Sequence, residues 1–256
     1  MRQDERDPFD RALRRARDSA YPPGEFVGQE SFMRASEIRA LAERAGVGPG
    51  VRVLDLCCGV AGPGRFISAE LGCDYLGVDA SASAVDIARA RAAADGVPAR
   101  FEVALVPPVP QGPFEVVLLL ETLLAFADKG PLLDGIGTAL APGGRFAFTL
   151  EEGRPLTEPE ARRMPDADTV WLSPWDEVVD CLEAVGLRVR WSEECSRSHL
   201  AIVEAMIVGF AAERRLIAAE VGRRALDDLV EAHELWSDWL RSGRVRKFAA
   251  VAERVA

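Results

Sequence analysis

The sequence contains almost no lysine, little histidine and no strongly basic segment. Of its 31 basic residues only Lys129 and Lys247 are lysines, a bias that we attribute to genomic base composition. The net charge is −10, and the basic clusters RRAR and RVRK do not offset it. A nucleic acid backbone would be repelled by this charge, so we expect no nucleic acid partner.

Long apolar segments and a secretory leader are also missing. The run VVLLLETLLAFA, which begins at Val116, is interrupted by Glu121 and is too short to cross a bilayer. The N-terminal MRQDERDPFDRALRRARDSA alternates charges and has no apolar centre. We therefore expect a cytoplasmic protein without membrane association, whose 256 residues with 48% hydrophobic content form one compact domain with additions.

The five cysteines and two histidines do not have the spacing of a metal site. No C-x-x-C pair occurs, and two histidines cannot complete a zinc ligand set with the scattered cysteines. We therefore predict that the protein's side chains bind no metal. In the cytoplasm the adjacent Cys57 and Cys58 are expected to stay free thiols that pack as small apolar residues.

Short apolar runs alternate with helical segments along most of the chain, which predicts an α/β fold. The connections favour a doubly wound, Rossmann-like, mostly parallel sheet with right-handed crossovers. Seven strands are predicted, at 51–57, 73–79, 99–106, 114–121, 145–151, 187–193 and 244–253.

The turn after the first strand, VLDLCCGVAGPG, has the composition of a ligand-binding loop. Ligands of such sheets bind beyond the carboxyl ends of the strands, and Gly59, Gly62 and Gly64 allow backbone to approach them closely. Asp55 can face a cationic amino group, and Asp79, at the end of the second strand, can accept hydrogen bonds from both ribose hydroxyls. An amine combined with a ribose describes S-adenosylmethionine.

At these residues the sequence resembles the class I S-adenosylmethionine-dependent methyltransferases, with the likeness covering roughly residues 28–150. VLDLCCGVAG and YLGVDAS are similar to the first two motifs of that family, and LLLETLLAFADK and ALAPGGRFAFT to the fourth-strand motif and the turn before strand five. The segment from Val27 to Val47 resembles the N-terminal helix that small-molecule members fold over the cofactor. The resemblance implies cofactor contacts from Gln29, Phe32, Asp55, Cys57, Gly59, Gly62, Asp79, Ala80 and Leu120.

The first and third motifs depart from the family pattern. Cys57 and Ala61 replace two usual glycines, and we expect the loop to hold them without a conformation that only glycine favours. The third-strand motif has Leu105 or Val106 where the family commonly has an acidic residue near the adenine, so adenine recognition by backbone and apolar contacts is expected.

The resemblance also implies how the chain is divided. We predict an N-terminal helical cap at 1–48, a cofactor-binding core at 49–197, a helical lid inserted at 198–241, and a final strand of the core at 242–256. In this family the last strand runs antiparallel at the sheet edge, and a lid between strands six and seven lies above the cofactor's methyl group.

A methyltransferase site must align the reactants, exclude water and remove a proton where the nucleophile requires it. His199, with a pKa tuned near neutrality, is our first candidate for the proton acceptor and Glu121 the second, although a cap or surface role for His199 stays open. For substrate binding the candidates are Glu151, Trp171, His233 and Trp236, each of which also fits core packing or a solvated loop.

The predicted function is methyl transfer from S-adenosylmethionine to a hydroxyl, amine or acidic carbon of a metabolite or natural product, as in secondary metabolism. Two alternatives stay open. The first is an S-adenosylmethionine-binding enzyme of the same fold that catalyses a non-methylating reaction, and the second is a non-catalytic partner subunit. The sequence does not fix the oligomeric state.

Overall fold

A seven-stranded sheet forms the centre of the protein. The computed structural model describes residues 11–255, so the first ten residues of the predicted cap and Ala256 of the predicted last strand lie outside the described part. The strands are β1 (Arg52–Leu56), β2 (Asp74–Asp79), β3 (Ala99–Val103), β4 (Phe114–Leu119), β5 (Leu140–Glu152), β6 (Leu187–Glu194) and β7 (Arg246–Arg254). Their order in the sheet is β3-β2-β1-β4-β5-β7-β6.

Ten α-helices are described between residues 11 and 255. They are α1 (Arg11–Ala20), α2 (Ala35–Arg44), α3 (Gly62–Leu71), α4 (Ala82–Asp95), α5 (Gly130–Ala139), α6 (Glu158–Arg163), α7 (Trp175–Ala184), α8 (Ser196–Ala212), α9 (Arg214–Val221) and α10 (Arg223–Ser242). Two single turns of 3-10 helix, Leu123–Ala125 and Ala167–Thr169, lie in the connections.

The sheet topology confirms the predicted fold class. β1 pairs in parallel with both β2 and β4, whereas β7 runs antiparallel to β5 and to β6. The expectation that the last strand lies at the sheet edge is wrong, because β7 is inserted between β5 and β6 and β6 forms the edge. The chain builds outward from β1 to β3 on one side and then restarts at β4 on the other, so the strand order reverses between β1 and β4. In a doubly wound sheet this point is the expected position of a ligand-binding crevice.

Helices cover both faces because the central strands β1 and β4 present apolar side chains to both sides along most of their length. Val53, Val116 and Leu118 face a buried layer with α2, α3 and α4, while their neighbours along the strands pack against α5 and α7 on the other side. Strands buried on both faces read as continuous apolar runs, and VVLLL in β4 is such a run. The alternation of side chains along each strand therefore fixes which helix lies on which face.

Two strand boundaries differ from the prediction by three residues or more, and the others by at most two. β3 ends at Val103, not at Val106, because Pro107 and Pro108 follow and cannot donate the backbone hydrogen bonds that a longer strand requires. β5 begins at Leu140 and includes the predicted APGG turn, with an irregular register opposite β4 between Phe114 and Val116.

The helices between β6 and β7 share a separate apolar cluster with the N-terminal helix. Ala12, Ala16, Met206, Phe210 and Leu226 are all buried in this cluster, which joins α1 to α8, α9 and α10. We call these four helices the helical layer. The predicted cap therefore has two parts with different packing, since α1 belongs to the helical layer and α2 packs on the sheet. Within residues 11–255 no helix combines the length and apolar character that a membrane span requires.

Candidate functional site

A cavity of about 170 Å³ opens where β1 and β4 end, at the reversal of strand order. Its walls come from three segments of the chain: the loop after β1, the residues that follow β4, and the segment between α1 and α2. It is lined by Gly28, Glu30, Ser31, Asp55, Cys57, Cys58, Gly59, Val60, Ala61, Gly62, Pro63, Leu120, Glu121 and Thr122. We call it the switch-point pocket.

Asp55 reaches this pocket from within β1 and is only 4% exposed. The Tyr75 hydroxyl donates a hydrogen bond to Asp55 Oδ2 at 2.5 Å, and Gly64 makes room for that hydroxyl, since a Cβ there would lie 1.9 Å from the phenol oxygen. Burial raises the pKa of Asp55 to about 7, although the hydrogen bond from Tyr75 lowers it. A buried carboxylate of this kind is stabilised by a cation that enters the pocket.

Asp79 holds the glycine loop from the end of β2. Its Oδ2 accepts a hydrogen bond from the Gly59 backbone N–H at 2.8 Å, and its Oδ1 accepts one from Ser81 N–H at 2.8 Å. Each carboxylate oxygen has a further lone pair. Asp79 therefore organises the loop and still has acceptor capacity for a ligand hydroxyl.

Cys57 and Ala61 correct one prediction about this loop. Their φ angles are +58° and +54°, so both residues adopt the left-handed conformation that favours glycine. The loop thus keeps a glycine-type backbone at the two positions where glycine is absent. The five cysteines are all free thiols, and burial raises the pKa of Cys57 to about 12, so it is an apolar wall residue and not a nucleophile.

The segment between α1 and α2 closes over the start of α3. A Cβ at Gly62 would lie 2.4 Å from the Gly28 carbonyl carbon, which shows how closely the two backbones approach. The Gln29 side chain is 1% exposed; its Nε2 donates to the carbonyls of Glu25 and Met33, and its Oε1 accepts from Val27 N–H. All polar groups of this side chain hold the segment itself, and its contact with the cofactor stays a prediction. Its neighbours Glu30 and Ser31 line the pocket instead.

A buried group of three charged residues lies next to the pocket wall formed by Glu121. Lys247 Nζ, which is 2% exposed, is 2.5 Å from Glu121 Oε1 and forms an ion pair with Glu151 Oε1. Burial lowers the pKa of Lys247, but the two carboxylates outweigh burial and hold it above its ordinary value. We call Glu121, Lys247 and Glu151 the charged triad; it brings together the ends of β4 and β5 and the start of β7.

His199 lies on the first turn of α8, 1% exposed, with Nε2 at 3.9 Å from Glu37 Oε2. Neither ring nitrogen has a hydrogen-bond partner among the residues that the structure describes. Burial and the Lys247 charge lower the pKa of His199 to about 3. This corrects the expectation of a pKa near neutrality: the imidazole is neutral across the physiological range, and the group with a pKa near 7 is Asp55.

Phe32 and His233, two predicted site residues with aromatic rings, lie in the same region as His199. The Phe32 ring packs edge-on against His199 and His233, with centroid distances of 6.4 Å and 5.6 Å, and its backbone N–H points to Glu121 Oε2 at 3.5 Å. The His233 Nδ1 lies 2.7 Å from the Leu229 carbonyl oxygen, and burial lowers its pKa to about 4. Phe32 and His199 thus lie beside the charged triad, with His233 packed against the Phe32 ring, whereas that ring does not line the switch-point pocket.

The remaining predicted residues lie in other places. Trp171 is 45% exposed, and its indole N–H donates to the Asp168 carbonyl, while Trp236 packs edge-on against Trp239 in a separate apolar cluster. The structure does not bring these two tryptophans to the pocket. Leu120 lines the pocket, whereas Ala80 is exposed outside its lining.

Two residues of this region were missed in the sequence analysis. Tyr75 gives no local indication, because the Asp55 contact depends on the register of β1 and β2. Lys247 did stand out as one of two lysines, and both are buried: Lys129 Nζ donates to the carbonyls of Phe126 and Trp171. Among residues 11–255 no three His, Cys, Asp or Glu side chains are grouped as metal ligands.

Comparison with known proteins confirms the family resemblance. Residues 53–144 match the family model described as "Methyltransferase domain". This segment begins in β1 and ends within β5, so it contains the glycine loop, Asp55, Asp79 and Glu121. This part of the chain is therefore similar to a methyltransferase domain.

Relatives and solved structures share this core. The chain is 38% identical over 141 residues to the ubiquinone biosynthesis O-methyltransferase of Caulobacter sp. (strain K31). This alignment covers 48% of the chain and 54% of the relative. A Haemonchus contortus phosphoethanolamine N-methyltransferase 2 in complex with S-adenosyl-L-methionine superposes with a TM-score of 0.78 at 18% identity, over 94% of this chain and 56% of that one. The [4+2]-cyclase SpnF superposes with a TM-score of 0.77 at 19% identity, over 99% of this chain and 94% of that one. The chain spans about half the length of the curated relatives it matches.

Proposed function

We propose that this chain, through its methyltransferase domain, binds S-adenosylmethionine in the switch-point pocket and transfers the methyl group to a small molecule. The observation that carries the proposal is the pair Asp55 and Asp79, held on neighbouring strands beside the glycine loop of that domain. Support also comes from the matched relatives, which are named as methyltransferases of small molecules, and from the solved complex with S-adenosylmethionine.

The residues of the pocket fit this cofactor. Asp55 is a buried carboxylate whose ionisation is costly until a cation is present, and the cofactor's ammonium supplies one. Asp79 has free lone pairs for the ribose hydroxyls, and the glycine loop lets backbone approach the ligand. When bound, the cofactor supplies a methyl group already activated on sulfur.

The chain's own residues then position the acceptor and control its proton. Glu121 lines the pocket, and the charged triad connects it to the region of His199, His233 and Phe32. His199 is neutral and has both ring nitrogens free, so it can accept a hydrogen bond from a hydroxyl or N–H of the acceptor. The aromatic neighbours exclude water from the reacting groups. We propose His199 and Glu121 as the residues that contact the acceptor.

The helical layer is proposed to be the lid over this region. It has its own apolar cluster, and its contacts with the core include Ser198 Oγ, which donates to Glu37. Because α1 shares this cluster with α8 to α10, we expect all four helices to open together. Amide hydrogen exchange of the free protein should be faster in all four than in β1 and β4, and S-adenosylhomocysteine should slow it. Protection equal to that of β4 without ligand would contradict a lid.

The proposed function is tested by binding and by product analysis. Calorimetry should show S-adenosylmethionine binding to the wild type and at least tenfold weaker binding to Asp79→Ala, since hydrogen bonds to a charged acceptor contribute about 1.5–3 kcal/mol. With a library of hydroxyl, amine and acidic-carbon acceptors, S-adenosylhomocysteine should form in step with a methylated product. If the wild type binds no cofactor, the proposal fails and the non-catalytic subunit is favoured.

A second candidate is a reaction of the same fold without methyl transfer. The observation in its favour is the superposition on SpnF, a [4+2]-cyclase, over nearly the whole of both chains. Conversion of a substrate without formation of S-adenosylhomocysteine would support this second candidate. The cytoplasmic location and the role in secondary metabolism stay predictions from the sequence.

A further inference from the structure

Left-handed backbone is concentrated around the switch-point pocket. Among residues 11–255 four residues other than glycine have φ angles from +53° to +60°: Cys57, Ala61, Glu121 and Asp166. The first three line the pocket, and Asp166 does not. This conformation is unfavourable for a residue with a Cβ and persists where surrounding groups hold it, which happens most often at ligand sites. Cys57 and Ala61 belong to the glycine loop, so the conformation of Glu121 requires a cause of its own.

Glu121 is held from two directions by neighbouring strands. Its backbone N–H donates a hydrogen bond to Thr149 Oγ1 at 2.6 Å, and its Oε1 lies 2.5 Å from Lys247 Nζ. Thr149 is a residue of β5 that is 0% exposed and does not line the pocket. The Thr149 hydroxyl therefore acts on the backbone of Glu121, while Lys247 acts on its side chain.

The left-handed conformation changes the direction in which the Glu121 side chain leaves the chain. Side chains of an extended strand alternate between the two faces of the sheet, and a left-handed residue after the strand departs from that alternation. The second carboxylate oxygen, Oε2, has only a long contact of 3.5 Å with the Phe32 N–H. Oε2 therefore keeps lone pairs for an N–H or O–H of a ligand in the pocket that Glu121 lines.

We propose that Thr149 is a positioning residue whose hydroxyl keeps Glu121 in the left-handed conformation that presents its carboxylate to the cofactor. This inference rests on the proposed function, in which the pocket binds S-adenosylmethionine. The ammonium of that cofactor offers three N–H donors, so it can bond to Glu121 as well as to Asp55. Thr149 lies outside residues 53–144, which match the methyltransferase model.

Calorimetric titration with S-adenosylmethionine tests the role of the hydroxyl. Thr149→Val keeps the shape of the side chain but removes the acceptor of the Glu121 N–H, so the left-handed conformation becomes less populated. Loss of the net contribution of one hydrogen bond lowers that population, and with it the apparent affinity, by up to about tenfold. Thr149→Ser keeps the hydroxyl and should bind the cofactor as the wild type does. Unchanged affinity in Thr149→Val overturns the inference.

Glu121→Gly separates positioning from packing. Glycine adopts positive φ readily, so in this background the Thr149 hydroxyl has no conformation to enforce. Thr149→Val should then weaken cofactor binding much less than it does in the wild type. An equal loss in both backgrounds would show that Thr149 acts through packing alone, which also overturns the inference. Asp166→Gly is the matched control: it changes a residue with the same backbone outside the pocket lining, and it should leave the affinity unchanged.

The remaining outcomes distinguish this inference from the proposed function. Wild-type affinity in Glu121→Gly overturns the inference, because the carboxylate then does not contact the cofactor. If Glu121→Gly does not fold, the backbone chemical shifts of Glu121 in Thr149→Val report its φ directly. Loss of the left-handed conformation supports the inference, and its persistence overturns it. Failure of the wild type to bind S-adenosylmethionine contradicts the proposed function itself, which the other outcomes leave intact.

Discussion

Replacing Asp55 by asparagine should stabilise the fold while it impairs cofactor binding. The folded-state pKa of about 7 lies above the ordinary value of 3.8, so between these pH values the unfolded chain releases a proton that the folded protein retains. Stability therefore falls as pH rises from about 4 to about 7 and is constant above that. Because one pKa unit corresponds to about 1.4 kcal/mol, the cost of ionising Asp55 at pH 8 is up to about 4 kcal/mol.

Asparagine keeps an oxygen for the Tyr75 hydroxyl and has no charge to bury. We expect the unfolding temperature of Asp55→Asn to exceed that of the wild type at pH 8, by up to about 10 °C for a chain of this size, and the difference to shrink at pH 5. The variant loses the charge that we propose faces the cofactor's ammonium, so its affinity for S-adenosylmethionine should fall at least tenfold.

Asp74→Asn is the control for the loss of one carboxylate. Asp74 begins β2, and its side chain is 48% exposed in a pair with Arg100, so its removal should change stability by less than about 1 kcal/mol at either pH. Thermal unfolding at pH 5 and pH 8 and calorimetric titration supply the measurements. An Asp55→Asn protein that is less stable than the wild type at pH 8 and binds cofactor equally well would refute the reasoning.

Three further predictions concern neighbouring parts of the site. Tyr75→Phe removes the hydrogen bond that lowers the pKa of Asp55. When cofactor affinity is measured as a function of pH, the midpoint of its change should therefore move to higher pH, and an unchanged midpoint would contradict this. Ala61→Gly should be neutral or stabilise by up to about 1 kcal/mol in urea unfolding, because the left-handed backbone suits glycine, whereas Ala88→Gly within α4 should cost about 1 kcal/mol or more. His199→Asn should slow transfer to a hydroxyl acceptor only up to about tenfold, because an imidazole with a pKa of about 3 is a weak base whose loss removes a hydrogen bond to the acceptor. The midpoint of cofactor affinity near pH 7 should persist, and its loss would reassign that titration to His199.

The sequence was most informative where local pattern and site coincide. The glycine loop, Asp55 and Asp79 are adjacent to strand ends that apolar periodicity identifies, so their common position at one edge of a parallel sheet could be predicted. Gln29 shows the limit of such inference. Its segment lies against the glycine loop, but the direction of its side chain depends on the carbonyls of Glu25 and Met33 around it.

The two lysines show a second limit of what can be inferred from the sequence. The scarcity of lysine was attributed to base composition, and the basic residues of the exposed ion pairs are indeed arginines. The two lysines that the chain retains are both buried, one against two carbonyls and the other between two carboxylates. Their rarity was visible in the sequence, but their partners were not, because Glu121, Glu151 and Lys247 come from three different strands.

By itself the sequence determined the alternation of strands and helices, the mostly parallel sheet and the glycine loop at its edge, because these depend on periodicity and on residues close together in the chain. Only the tertiary structure decided the electrostatics of the site. The pKa of Asp55, the neutrality of His199 and the charge of the triad depend on burial and on groups that are distant in sequence. Desolvation and Coulomb interactions act through space, and their strength is set only when the chain has excluded water from these side chains.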